Sequence, residues 1–207
     1  SIEKEYITSN KYSRKSWVDL DQDGVLEEHE KVSETTRNHN TGVLTQNNWD
    51  RNADGSVNAR SWTVTSADGL TSTTRHDANF DGNEETKTVD QTVIAGNGSS
   101  TRTVAVTNKD GSGREETTFA YSADGKTVTT SRDIDGNGSI EAKTVDQTST
   151  LSGGVVRREV SEFAGNNTLL SRQQVDRSAD RRVTTTREDI DGDGQWDQIS
   201  TKTQGTD

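Results

Sequence analysis

Four short stretches place oxygen-bearing side chains at positions 1, 3, 5 and 9 and glycine at position 6. They are Asp19, Asp21, Asp23 and Glu27 around Gly24; Asp77, Asn79, Asp81 and Glu85 around Gly82; Asp133, Asp135, Asn137 and Glu141 around Gly138; and Asp189, Asp191, Asp193 and Asp197 around Gly194. Alternating oxygen donors let a loop wrap a hard cation, and the glycine permits the sharp turn. A backbone carbonyl at position 7 (Val25, Asn83, Ser139, Gln195) would add a ligand, and the acid at position 9 would close the cage directly or through water. An all-oxygen donor set suits Ca2+ rather than a transition metal. The spacing therefore predicts about four Ca2+ sites. A plain Asx turn accounts for Asn52–Gly55 and Asn108–Gly111. It does not account for acids clustering four times, where their charges repel unless a cation joins them. The first stretch also fits a twelve-residue EF-hand loop with Glu30 at position 12, but Lys31–Thr36 is poor helix material. The other three carry Thr88, Thr144 and Ser200 at that position, which departs from the EF-hand pattern.

The elements that must position these loops repeat with them. Ser66-Ala67-Asp68-Gly69 recurs as Ser122-Ala123-Asp124-Gly125 and as Ser178-Ala179-Asp180-Arg181, each 56 residues on. Lys87–Thr92 recurs as Lys143–Thr148, and Gly42, Gly98 and Gly154 keep the same step. The acidic loops begin at Asp19, Asp77, Asp133 and Asp189, so the first step is two residues longer. A repeat of this kind is read before any other feature. It divides the chain into units 8–65, 66–121, 122–177 and a partial 178–207, which together form one array. Within a unit, Asp-Gly and Asn-Gly signals mark four turns, since both favour the positive-φ turns that close hairpins. The segments between them, such as Thr86–Ile94, Thr101–Thr107 and Lys126–Arg132, are rich in Thr and Val. β-Branched residues suit strands. The expected fold is all-β: a tandem repeat array of antiparallel β-hairpins, about four strands per 56-residue unit, with a thin core and stabilisation by Ca2+.

Composition explains why the core must be thin. Leu, Ile, Val and Phe make up 34 of the 207 residues and the formal net charge is −11, a combination close to that of disordered chains. Cys is absent, so disulfides cannot compensate. No apolar run is long enough for a membrane helix, and the polar start, Ser1-Ile2-Glu3-Lys4, shows no signal peptide. The acidic balance argues against nucleic acid, since a phosphate-binding protein needs a basic face. With no long apolar run, membrane insertion is not expected either. The three histidines, His29, His39 and His76, have no nucleophile partner in a recognisable motif. No enzymatic activity is expected. Trp49 and Trp62 lack aromatic counterparts one repeat later, at Ala105 and Thr118, and form the one candidate sugar-stacking patch.

The Thr-rich strands, the Ser-Ala-Asp-Gly turns and the Asp-Ile-Asp-Gly loops together resemble the long tandem repeats of very large secreted bacterial calcium-binding proteins, the adhesin-like or haemolysin-type group. The likeness is one of repeat style over nearly the whole chain. The glycine-rich nonapeptide of the haemolysin type is missing, so a β-roll is not implied. The resemblance implies type I secretion and a place outside the bacterial cell or on its surface. It also implies a structural role, as a stalk or spacer whose partners are Ca2+ and the neighbouring repeats of a longer protein. Two alternatives accompany it: a Ca2+-dependent adhesion module for a surface glycan, and a fragment of an integrin-like β-propeller, whose calcium loop Asp189–Asp197 resembles.

With a dissociation constant near about 10 µM and external Ca2+ of about 1 mM, each site would stabilise the fold by about 2.7 kcal/mol. Four such sites give on the order of 10 kcal/mol, comparable to the whole stability of an ordinary domain. The expectation is a chain ordered outside the cell and loose at cytosolic Ca2+. Far-UV circular dichroism with and without EDTA checks it: the melting temperature should fall sharply on chelation, and an unchanged spectrum and melt would refute it.

Overall fold

The computed structural model describes residues 2–7 and 11–205. Its fifteen strands are β1 (Ile2–Ile7), β2 (Lys11–Trp17), β3 (Lys31–Asn38), β4 (Leu44–Arg51), β5 (Val57–Thr65), β6 (Thr71–Asp77), β7 (Thr86–Ile94), β8 (Ser100–Asn108), β9 (Gly113–Tyr121), β10 (Thr127–Asp133), β11 (Ala142–Thr150), β12 (Val156–Ala164), β13 (Leu169–Arg177), β14 (Val183–Asp189) and β15 (Gln198–Thr203). Within each unit, strands that follow one another in the chain are neighbours in the sheet. Two single-turn 3-10 segments, Glu28–Glu30 and Ser152–Gly154, are the only helical elements among the described residues. No helix there is long and apolar enough to cross a membrane. Contacts divide the chain into two compact units, Ser1–Thr92 with Val104–Arg114, and Val93–Thr103 with Glu115–Asp207.

The strand boundaries follow the turn chemistry. Ser66, Ser122 and Ser178 open tight turns in which the hydroxyl donates to Asp68, Asp124 and Asp180, at 2.5, 2.7 and 2.6 Å. Each aspartate also accepts the amide two residues on, from Leu70, Lys126 and Arg182. These hydroxyl bonds hold all three carboxyls below the ordinary range. The fourth turn residue lies in the left-handed region, φ +74° at Gly69, +68° at Gly125 and +61° at Arg181. The last of these is a conformation that a side chain disfavours.

In each unit the hairpins pair antiparallel. In the first, β5 and β6 place Arg60 opposite Asp77. In the second, β9 and β10 place Glu116 opposite Asp133, and β13 and β14 place Arg172 opposite Asp189. Threonines meet across strands, as at Thr63 and Thr74 (2.8 Å) and at Thr185 and Thr201 (3.2 Å). Such pairs contribute a few tenths of a kcal/mol each, up to about 1 kcal/mol.

The apolar core is nearly absent. Trp17 is the one buried large hydrophobic side chain among the described residues, whereas Ser13, Glu30, Lys31, Asp77, Asp133, Ser161, Gln174 and Asp189 are buried and polar. Aromatic rings are covered by cations instead. Lys4 lies over Trp17, Lys143 over Phe163, Arg102 over Phe119 and Arg172 over Trp196. Arg60 sits 5.9 Å from the Trp49 ring centre and 5.0 Å from that of Trp62, with Lys31 a further 5.0 Å from Trp49. Each such contact contributes about 0.5–1 kcal/mol at a half-exposed site, and the aliphatic stem of the cation covers apolar area as well.

A polar cluster supports β12–β14. Arg157 grips Asp176 with two bonds, 2.7 and 2.8 Å, and Arg187 donates to the same carboxylate at 2.7 Å. Arg157 first, then Arg187, against an opposing desolvation cost, hold the Asp176 carboxyl down to about 2. A carboxyl depressed in the fold stabilises it above the unfolded value of about 3.9, and that contribution is lost as pH falls through the folded value. The full shift would correspond to about 2.5 kcal/mol, but the arginines are about a third exposed, and solvent screening reduces this to about 1 kcal/mol. Asp176→Asn should therefore cost about 1 kcal/mol in urea unfolding at pH 7. The gap between parent and variant should close between about pH 4 and about pH 2.

Candidate metal centres

The four acidic loops are the hairpin connections β2–β3, β6–β7, β10–β11 and β14–β15. Strands flank all of them, so the first loop is not an EF-hand despite its spacing: β2 precedes it and β3 follows. The position-1 aspartate sits at or just past the end of its strand, and backbone amides grip it. Asp133 accepts Gly136 and Gly138, both at 2.7 Å. Asp189 accepts Gly192 at 2.8 Å and Gly194 at 3.1 Å. Asp77 accepts Asp81 and Gly82, both at 3.1 Å, and Asp19 accepts Gly24 at 3.1 Å. Asp77, Asp133 and Asp189 are 3%, 6% and 1% exposed, which is rare for aspartate and sustained by these donors.

The same backbone path serves all four loops. Position 6 has φ between +83° and +89° at Gly24, Gly82, Gly138 and Gly194. Position 4 is left-handed too, at Gln22, Phe80, Gly136 and Gly192. Only two of these are glycine, so the sequence pattern marked position 6 and missed position 4. The side chain at position 5 (Asp23, Asp81, Asn137, Asp193) accepts the amide of position 7 (Val25, Asn83, Ser139, Gln195) at 2.7 to 2.8 Å.

Carboxylates converge at each loop. Ligand-capable oxygens of Asp77, Asp81 and Glu85 lie within 4.8 Å of one another, as do those of Asp133, Asp135 and Glu141, and of Asp189, Asp191 and Asp197. Asn79 at position 3 of the second loop directs its carbonyl oxygen to the Asp81 amide, 3.1 Å away. The position-9 acid turns back over its loop: Glu85, Glu141 and Asp197 accept the amides of Ala78, Ile134 and Ile190 at 2.5, 2.7 and 2.7 Å. Their own amides close the loop on His76, Arg132 and Glu188.

The first loop is built differently. Glu30 takes the part that position 9 plays elsewhere: its carboxylate accepts the Leu20 amide at 2.5 Å and that of Glu27 at 3.2 Å, and its carbonyl accepts Val18. Glu30 is wholly buried and groups with Asp19 and Asp21. Glu27 groups instead with His29 and Glu30. The 3-10 turn Glu28–Glu30 and the bulge pairing Trp17 with Lys31 absorb the longer path. One oxygen of Asp19 (Oδ1) and one of Glu27 (Oε2) are buried without a hydrogen-bond partner. Burial first, then the charges of Asp23, Glu30 and Asp21 push the Glu27 carboxyl up. The Leu20 amide leads in holding that of Glu30 down.

Oxygen donors in threes, at Asp19, Asp21 and Glu30 and at the other three loops, fit a hard cation, and the first loop holds buried oxygens that lack a partner; only the Glu27 group adds an imidazole, from His29. The Asp23 and Asp193 carboxylates instead serve loop amides in this geometry. No protein-family model matches the chain, and no curated protein matches it either.

The two glutamates of the first loop should behave oppositely without divalent cations. Glu30→Gln should lower the urea midpoint in EDTA, because it weakens the acceptor for two amides. Glu27→Gln should raise it, because an ionised carboxylate that the fold disfavours has been removed.

Proposed function

We propose that this chain is a calcium-binding structural segment, a stalk or spacer, of a larger secreted or cell-surface bacterial protein. In this reading it is a tandem array with about four strands per 56-residue unit, and one Ca2+ per unit fastens the second hairpin connection. The ligands would be Asp19, Asp21 and Glu30 in the first loop, with Glu27 beside them. They would be Asp77, Asn79, Asp81 and Glu85 in the second, Asp133, Asp135, Asn137 and Glu141 in the third, and Asp189, Asp191 and Asp197 in the fourth, with Asp193 beside them.

The supporting observation is the recurrence of one oxygen-rich loop at four hairpins, among described residues that bury a single large apolar side chain. A cation there joins two strands that packing alone holds weakly. Its binding free energy adds directly to folding wherever Ca2+ is plentiful. The resemblance to secreted tandem-repeat proteins supports the location and the role. For the carbohydrate alternative, the Trp49 and Trp62 rings already carry Lys31 and Arg60.

Isothermal titration calorimetry on the whole chain tests the reading. About four Ca2+ should bind, and Asp77→Asn, Asp133→Asn and Asp189→Asn should each remove one. An absence of heat and of ion uptake would sink the proposal. Ca2+-dependent binding to a glycan array would favour the adhesion module over the spacer.

A further inference from the structure

Among the loops that close on a position-9 acid, the cross-strand neighbour of the first aspartate differs in charge: Arg60 opposite Asp77, Glu116 opposite Asp133, and Arg172 opposite Asp189. Cross-strand neighbours project from the same face of a sheet, so this residue stands beside each loop. Arg172 does more than stand there. Its guanidinium lies 3.5 Å from Asp189 Oδ2, whose side chain has no exposed surface, and its Nη2 donates to the Gly194 carbonyl at 3.3 Å. Its charged end stacks 4.1 Å from the centre of the Trp196 ring, within the same loop. Arg60 is directed elsewhere, to Asn47 at 2.7 Å and between two tryptophans.

From this geometry, and resting on the calcium reading above, we infer that Arg172 is a built-in competitor of the metal, which makes the fourth loop a weak site, filled after the third. Carboxylate number alone points the other way. The fourth loop has four, at Asp189, Asp191, Asp193 and Asp197, while the third has three, at Asp133, Asp135 and Glu141. The cross-strand residue reverses the order by adding a cation to the fourth and a further carboxylate, Glu116, to the third. Arg172 also supplies positive charge to Asp189 when no ion is bound. The ligand is a divalent cation, and the device grades the response of neighbouring hairpins to it.

Glycine-selective 15N NMR of the whole chain separates the two sites, because the Gly138 and Gly194 amides donate to Asp133 and Asp189. In a Ca2+ titration the Gly138 signal should saturate first. Arg172→Gln should lower the Gly194 midpoint roughly tenfold, the scale for one unit charge beside a divalent ion at a solvent-facing site. It should leave Gly138 in place. Arg172→Lys, which keeps the charge, should leave the Gly194 midpoint nearly unchanged. Glu116→Arg, at an exposed position, should raise the Gly138 midpoint by a similar factor. A Gly194 midpoint that stays or rises in Arg172→Gln, or a Gly138 midpoint unmoved by Glu116→Arg, would overturn the inference and leave the calcium reading standing. If neither amide responds to Ca2+, the calcium reading has failed and the inference falls with it.

Discussion

With one large hydrophobic side chain buried among the described residues, the fold depends on backbone amides satisfied by carboxylates and ladder carbonyls. The acidic loops concentrate this constraint. A buried aspartate at a strand end is tolerable because two loop amides point at it, and those amides point there because the backbone is left-handed at positions 4 and 6. The hydrogen bonds that shape the loop therefore also gather its oxygens. Amides satisfy the lone pairs but cancel little of the net charge, and in the first loop two buried oxygens lack a partner altogether.

The rest of the sheet solves the missing core with polar means. Cations lie over aromatic rings, threonines pair across strands, and Asp176 is held by two arginines. Each contact contributes little by itself. Together they fix which strand lies beside which and in what register, because a one-residue slip would carry every side chain to the other face.

Loops of nearly identical sequence need not be equivalent. The second, third and fourth share their donor positions and backbone path, yet one faces a guanidinium across the strand pair and another a carboxylate. The first replaces its position-9 acid by Glu30, three residues later, through a 3-10 turn and a bulge. Local sequence sets which carboxylates converge, and the strand partner sets the charge beside them.

The strands and turns were legible in the sequence. Asp-Gly and Asn-Gly signals with Ser-to-Asp hydrogen bonds act over four or five residues, and Thr-Val segments between them extend; Thr86–Ile94 is β7 to the residue. The convergence of acids was legible for the same reason, since donors at alternate positions of a tight loop have nowhere else to point. The twelve-residue spacing marked Glu30 as a candidate, but only the 3-10 turn and the bulge decide that it, rather than Glu27, groups with Asp19 and Asp21. Two things were not legible: that Arg60 lies between Trp49 and Trp62, and that Arg172 leans on Asp189 from 17 positions away. Both depend on pairing register, which brings distant residues together across strands. Local chemistry fixed the loops, and only the tertiary structure decided what charge each would face.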